Sequence, residues 1–404
     1  MYGEAAMRLS IGSLLACGLA AMVTFSCGNL VETLPDARPN TDSGDATAHD
    51  DADDATNGGG PVDGSAPTAN LIFVTSSTHS ADLGGLDGAD NICAARAREA
   101  GLGGTYVAWL STDDVDAKDR LSSARGWVRP DGAPFADTSD ELISGVIFVP
   151  PRLDELGADI GAERVWTATS PDGELAAEGG NCDGWNRADA TLEAGRGVTD
   201  GGTGSWTAAG TDTPEVEPAL STCDTPQRIY CLGIDHEVPV APEPAAARFA
   251  FVSEQRMSST AGIEEFDGQC QTEADEAGIN GRFMAAVVAA EGTKIADRFN
   301  LDGPTWARPD GTPILDEAAD LAVGPLSAPI SQHPDGSYAD VQVWSGAVDL
   351  GEVSSDNCDD WSRASVTGGV LRSGRTLGGH LLDCAEASGD FFTPFSFSLL
   401  CLQE

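Results

Sequence analysis

Asn181-Cys182-Asp183-Gly184-Trp185 returns later in the chain as Asn357-Cys358-Asp359-Asp360-Trp361. Both copies keep the Cys and the Trp at one spacing, and a further Trp precedes each, Trp166 in the first and Trp344 in the second. Two more cysteines close each segment: Cys223 and Cys231, then Cys384 and Cys401. Working outward, Asn70-Leu71-Ile72-Phe73-Val74 is matched by the apolar run Phe249 to Val252, Cys93 by Cys270 and Gly101 by Gly278. Asp119-Arg120-Leu121 is matched by Asp297-Arg298-Phe299, and Trp127-Val128-Arg129-Pro130-Asp131-Gly132 by Trp306-Ala307-Arg308-Pro309-Asp310-Gly311. From Cys93 to Trp185 the offset stays between 176 and 179 residues. A shared order at a nearly constant offset marks an internal repeat.

A chain of 404 residues is too long for one ordinary core, so the repeat is read as two domains, 69–235 and 248–404, each expected to fold by itself. Between them, residues 236–247 carry Pro239, Pro242 and Pro244 and read as a short, stiff linker. In each domain a strand leads into a helix. Leu86 to Ala100 places Ala89, Cys93 and Ala97 on one buried face, and Ile263 to Ala277 does the same for Cys270. Tyr106 to Leu110, Val165 to Thr167 and Arg228 to Leu232 read as further strands.

Residues 1–26 read as a leader of the lipoprotein type, with an apolar run from Leu9 to Phe25. Cys27 at its end is the expected site of lipidation, and a plain secretory signal is the alternative. Residues 27–68 are rich in Asp, Gly, Thr and Ala and read as a disordered, self-repelling acidic tether.

The chain has 22 Lys+Arg against 65 Asp+Glu. Phosphate backbones need clustered cations, so nucleic acid is excluded as a partner, and a membrane contact is expected only through the N-terminal lipid. Of the ten cysteines, eight divide four and four between the repeats. An even set in an exported chain reads as a disulfide framework, with three connectivities open in each repeat. No C-x-x-C pair points to a zinc ribbon or a redox site.

Four cysteines per repeat, a first strand and helix, and a Trp-rich distal half resemble the C-type lectin-like fold. The resemblance is closer to its endostatin-like branch, as found in a largely uncharacterised family of bacterial exported lipoproteins. Ile72-Phe73-Val74-Thr75, Gly84-Gly85-Leu86, Ala89-Asp90, Cys93, Ala100-Gly101-Leu102 and Trp109-Leu110-Ser111 carry it, with Trp166-Thr167, Asn181-Cys182, Trp185 and Tyr230-Cys231. It implies an α+β class: two tandem domains with mixed, mostly antiparallel sheets, short helices, long loops and disulfide staples. It also implies nested bridges, Cys93 with Cys231 around Cys182 with Cys223, and Cys270 with Cys401 around Cys358 with Cys384.

Lectins of this fold commonly hold sugar through calcium on a Glu-Pro-Asn-like loop and a Trp-Asn-Asp strand, and neither motif is present. No metal and no cofactor are therefore expected, with calcium kept as an alternative at the acids beside the second Cys. The candidate ligand loop comprises Asp183, Trp206, Asp359 and Asp360. The stretch from Gly195 to Thr213 is the counterpart of the long lectin loop, and Trp206 is the one tryptophan expected to be exposed. The scattered His49, His79, His236, His333 and His380 do not repeat an endostatin zinc cluster.

G-x-S-x-G, H-E-x-x-H and Walker motifs are missing. The expectation is a non-catalytic surface lipoprotein of the bacterial outer membrane, periplasmic or cell-surface facing, that binds a protein or glycan. A structural envelope protein without a small-molecule ligand, and a cryptic glycan-active hydrolase, are the alternatives; for location the alternative is secretion.

Overall fold

The computed structural model describes residues 68–404 apart from 178–179, 210–219, 245, 365, 377–378 and 389–390. The expected leader, Cys27, His49 and all but the end of the tether lie outside the described residues. The described residues form one compact unit.

The chain is α+β, with two mixed sheets built to one plan. In the first half β1 (Asn70–Val74) runs parallel to β3 (Trp127–Val128) and antiparallel to β8 (Arg228–Gly233). β8 also pairs with β2 (Tyr106–Ala108) and, in parallel, with β5 (Arg164–Trp166). With β4 (Pro134–Ala136), β6 (Glu193–Val198) and β7 (Leu220–Thr222), the order is β4-β3-β1-β8-β5-β6-β7, and β2 lies off this path.

The second half repeats it. β9 (Arg248–Val252), β12 (Trp306–Ala307), β13 (Gln342–Trp344), β14 (Thr367–Arg372), β15 (Gly379–Asp383) and β18 (Ser396–Gln403) run in the order β12-β9-β18-β13-β14-β15. β10 (Met257–Ser258) and β11 (Phe283–Ala285) also pair with β18. The register recurs: Phe73 opposes Cys231, and Phe251 opposes Cys401. The second half adds a hairpin of β16 (Ala385–Ser388) and β17 (Phe391–Pro394).

Strand alternation buries both faces of each sheet. Ile72 and Val74 join Trp109, Trp127, Trp206 and Tyr230 on one face, while Phe73 joins Cys93, Trp166 and Trp185 on the other. Ala250 and Val252 pack with Trp306, whereas Phe251 packs with Cys270, Trp344 and Trp361. None of these four clusters mixes residues of the two halves. All eight tryptophans are fully buried.

The two long helices are Gly85–Glu99 and Ile263–Glu276, and a short one spans Ser139–Ile143. Each long helix ends in a Schellman pair of bonds, Leu102 N to Ala97 O and Gly101 N to Arg98 O, then Ile279 N to Ala274 O and Gly278 N to Asp275 O. The matched Asp-Arg stretch lies in a 3-10 turn in each half, Lys118–Leu121 and Ile295–Arg298. Its Arg ties it to the long helix: Arg120 meets Asp90 and Arg298 meets Asp267, both at 2.6 Å.

The four bridges are Cys93–Cys231, Cys182–Cys223, Cys270–Cys401 and Cys358–Cys384. The outer bridge of each half bolts the helix to the central strand, and the inner one closes the distal loop. The linker does not float free, because Arg125 N donates to His236 O and Val240 N donates to Asp137 Oδ1.

Candidate functional site

The repeated Asn-Cys-Asp-x-Trp stretch forms one turn of left-handed helix in both halves. In the first copy φ is 54° at Cys182, 58° at Asp183, 65° at Gly184 and 65° at Trp185. In the second it is 54° at Cys358, 53° at Asp359, 55° at Asp360 and 57° at Trp361. The carbonyl of the leading Asn closes the turn, accepting from Trp185 N in one copy and Trp361 N in the other, both at 2.8 Å. The Asn side chain adds a second closure, with Asn181 Oδ1 accepting from Gly184 N at 2.9 Å and Asn357 Oδ1 from Asp360 N at 3.1 Å.

Left-handed backbone costs a residue with a Cβ about 1–2 kcal/mol, somewhat less for Asn and Asp. Such strain persists only where the surroundings over-determine the conformation. Here three anchors do so. The Cys is bridged to Cys223 or Cys384. The Trp is buried and donates from its indole N–H, Trp185 to Ser111 O and Trp361 to Val288 O, both at 2.9 Å. The preceding Trp packs against it, with ring centroids 6.0 Å apart for Trp166 and Trp185, and 5.9 Å for Trp344 and Trp361.

The anchors occupy the ends of the turn, so its middle faces solvent. Asp183, Asp359 and Asp360 are exposed. Arg363 Nη1 lies 3.1 Å from Asp359 Oδ2, whereas Arg187 Nη1 lies 4.0 Å from Asp183 Oδ2. Exposed pairs of this kind contribute little stability. Asp360 Oδ1 accepts from Asn357 Nδ2 at 3.0 Å. Among the described residues no group of three or more His, Cys, Asp or Glu side chains is placed to hold a metal ion. What the turns offer is a rigid, acidic, hydrogen-bond-accepting tip on each half.

Gly184→Val separates this strain from packing. A Cβ at Gly184 would have only Asn186 Nδ2 near it, at 3.7 Å, so no clash is introduced. The substitution should still cost about 1–2 kcal/mol through φ alone. Gly184→Asp should cost less than half as much, since Asp360 already holds that position in the second copy. Denaturant midpoints of the two variants check this.

One expected site residue is corrected. Trp206 is not exposed but 1% accessible. Its ring packs against Trp109, Phe135 and Tyr230 at centroid distances of 4.9, 5.2 and 5.4 Å. The loop after β6 folds back against Gly197, whose missing side chain leaves room for the Trp206 carbonyl, and this carries the indole into the core. The second half has no tryptophan after Trp361 to correspond to it. Of the Gly195 to Thr213 stretch, the first residues to Val198 belong to β6, and 210–213 lie outside the described residues.

Trp206 Nε1 has no hydrogen-bond partner among the described residues. Trp206→Phe therefore sacrifices volume alone, about 1–2 kcal/mol. Trp185→Phe should cost more, because it also strands the Ser111 carbonyl. Paired melts of the two variants make the comparison.

An open groove of about 660 Å³ runs where the linker meets both halves, lined by Val128, Pro134, Pro242, Thr312 and Asp316 among others. Its Arg129 is committed to Asp131 at 2.5 Å. Among the described residues no helix is long and apolar enough to cross a membrane. The chain matches no protein-family model, and comparison with curated proteins finds no match.

Proposed function

We propose that the chain is a non-catalytic lipoprotein of the bacterial cell envelope that binds a protein or glycan through two tandem C-type-lectin-like, endostatin-like domains. The observation that carries this reading is the left-handed turn that recurs in both halves. Strain of this kind is maintained at binding and active sites more often than elsewhere, and here the strained turn carries exposed acids, Asp183, Asp359 and Asp360, between buried Cys and Trp anchors. Nested bridges and a shared strand order support the lectin-like assignment. The acidic surface favours a partner with hydroxyl groups or cationic side chains over an anionic polymer.

Attachment at Cys27 gives the acidic tether a purpose, since a flexible coil of that length spans on the order of 35 Å. The native protein is expected in the detergent phase and Cys27→Ser in the soluble fraction. A mature N-terminus downstream of Cys27 would make the chain a secreted protein instead. Fragment 68–404 presented to glycan and matrix-protein arrays should retain at least one class of ligand. Turnover of a polysaccharide by that fragment would favour a hydrolase, and silence on both kinds of array would favour a structural role.

A further inference from the structure

The two halves meet through a contact that is symmetric in the sequence repeat. Val198 and Arg372 hold the same place in their sheets, opposite Arg164 and Gln342. Three residues further on, Gly201 and Arg375 form an antiparallel bridge with each other across the boundary. The flanking bonds are exchanged in the same way: Gly202 N donates to Gly374 O at 2.8 Å, and Thr376 N donates to Asp200 O at 3.2 Å. Gly202 corresponds to Thr376 and Asp200 to Gly374, so each bond is the image of the other. Residue i meeting j while j meets i is the pattern of an isologous interface.

Two arginine bonds flank this contact at equivalent acceptors, although their donors, Arg308 and Arg152, do not correspond in the repeat. Arg308 Nη2 donates to Ile147 O at 3.2 Å, and Arg152 Nη1 donates to Leu326 O at 3.3 Å. Ile147 and Leu326 stand at equal distances beyond the two W-x-R-P-D-G turns. The contact is also charged and buried. Asp200 is fully buried and is held by Arg375 through Nη2 and Nε, each at 2.8 Å. Ser205 Oγ donates to the Asp340 carboxylate, which Arg372 Nε meets at 2.9 Å. Gly202 lies so close to Pro329 of the other half that a Cβ there would come within 2.8 Å of its ring.

Two domains merely strung on a linker would not bury a carboxylate at their boundary. Removing such a charge from water is costly unless its partner is held in fixed geometry. We infer that the halves form an internal dimer, each half being the binding partner of the other through a pseudo-two-fold surface that holds without the covalent link. Every described disulfide stays within one half, so the linker is the sole covalent connection to cut. The contact also sets the two left-handed turns in one fixed relation.

The test uses the full chain with a specific protease site inserted at Glu243, an exposed linker residue. After cleavage under non-reducing conditions, the two halves should elute together at micromolar concentration, at the position of the uncut protein. Separate elution at that concentration would overturn the inference. Arg375→Glu should weaken association of the cut halves about a hundredfold or more. Gly202→Val, which disturbs the other half's Pro329, is the second variant should Arg375→Glu fail to fold. Melts of the uncut variants confirm that each half retains its own cooperative transition. Co-elution of folded, cut Gly202→Val as tight as that of the unsubstituted protein would also overturn the assignment of this surface.

Discussion

Replacing Cys93 and Cys231 together by serine is expected to lower the stability of the first half by roughly 5 kcal/mol. The bridge closes a loop of 138 residues, and constraint of the unfolded chain grows with loop length. Both sulfurs are fully buried, and the bond fixes the helix Gly85–Glu99 to the central strand β8. The inner bridge Cys182–Cys223 closes only 41 residues, which gives roughly 4 kcal/mol in the same chain-entropy account. Its loss should have a further sign, because the left-handed turn loses an anchor. Near-ultraviolet circular dichroism of Trp185 and Trp166 should change in the inner-bridge variant before global unfolding. Chemical denaturation of the full chain checks both, and a loss below about 1 kcal/mol in the outer-bridge variant would contradict the role given to it.

Arg308→Met is expected to cost about 3–5 kcal/mol, the range for breaking a buried ion pair by removing one partner. Arg308 is fully buried, yet each terminal nitrogen is used: Nη1 donates to Pro329 O and Ser331 Oγ, and Nη2 to Asp310 Oδ2, Thr312 Oγ1 and Ile147 O. Its substitution leaves the largely buried Asp310 with Tyr338 O–H and Thr312 N. Arg129 has the same sequence setting but is 12% exposed and pairs with a more open Asp131, so Arg129→Met should cost less.

The same site predicts a pH effect. Burial opposes the Asp310 charge, but the Arg308 charge and the bonds from Tyr338 and Thr312 outweigh it and hold the carboxyl below its ordinary pKa. A depressed pKa contributes stability that is full above the unfolded value near 4 and is lost as pH falls through the folded value. Acid titration of the unsubstituted chain should show this loss, and Arg308→Met should show less of it.

Much of the fold was legible because it rests on local chemistry. The apolar run Asn70–Val74 became β1 over those same residues, and Gly101 and Gly278 ended their helices as a left-handed residue should. Fixed Cys and Trp positions located the distal loop in both repeats. The handedness of the Asn-Cys-Asp-x-Trp turn was not legible. Only Gly184 hinted at positive φ, and Asp359 and Asp360 accept it without announcing it. The burial of Trp206 was not legible because it depends on Trp109, Phe135 and Tyr230, which are distant in sequence, and no later tryptophan repeats it. The contact between halves left no sequence trace for a physical reason. Its central bonds are backbone to backbone, so Gly201 and Arg375 can differ completely and still be equivalent.

The most direct measurement compares fragment 68–404 with its Asp183→Asn, Asp359→Asn double variant on the same glycan and matrix-protein arrays. Asn keeps the tolerance for left-handed backbone and removes only the charge. Binding by the unsubstituted fragment, weakened on the order of tenfold or more in the variant, a loss of about 1.4 kcal/mol, is the result expected if the two turns carry recognition. Retention of the same ligands with undiminished affinity by a folded double variant would contradict that account.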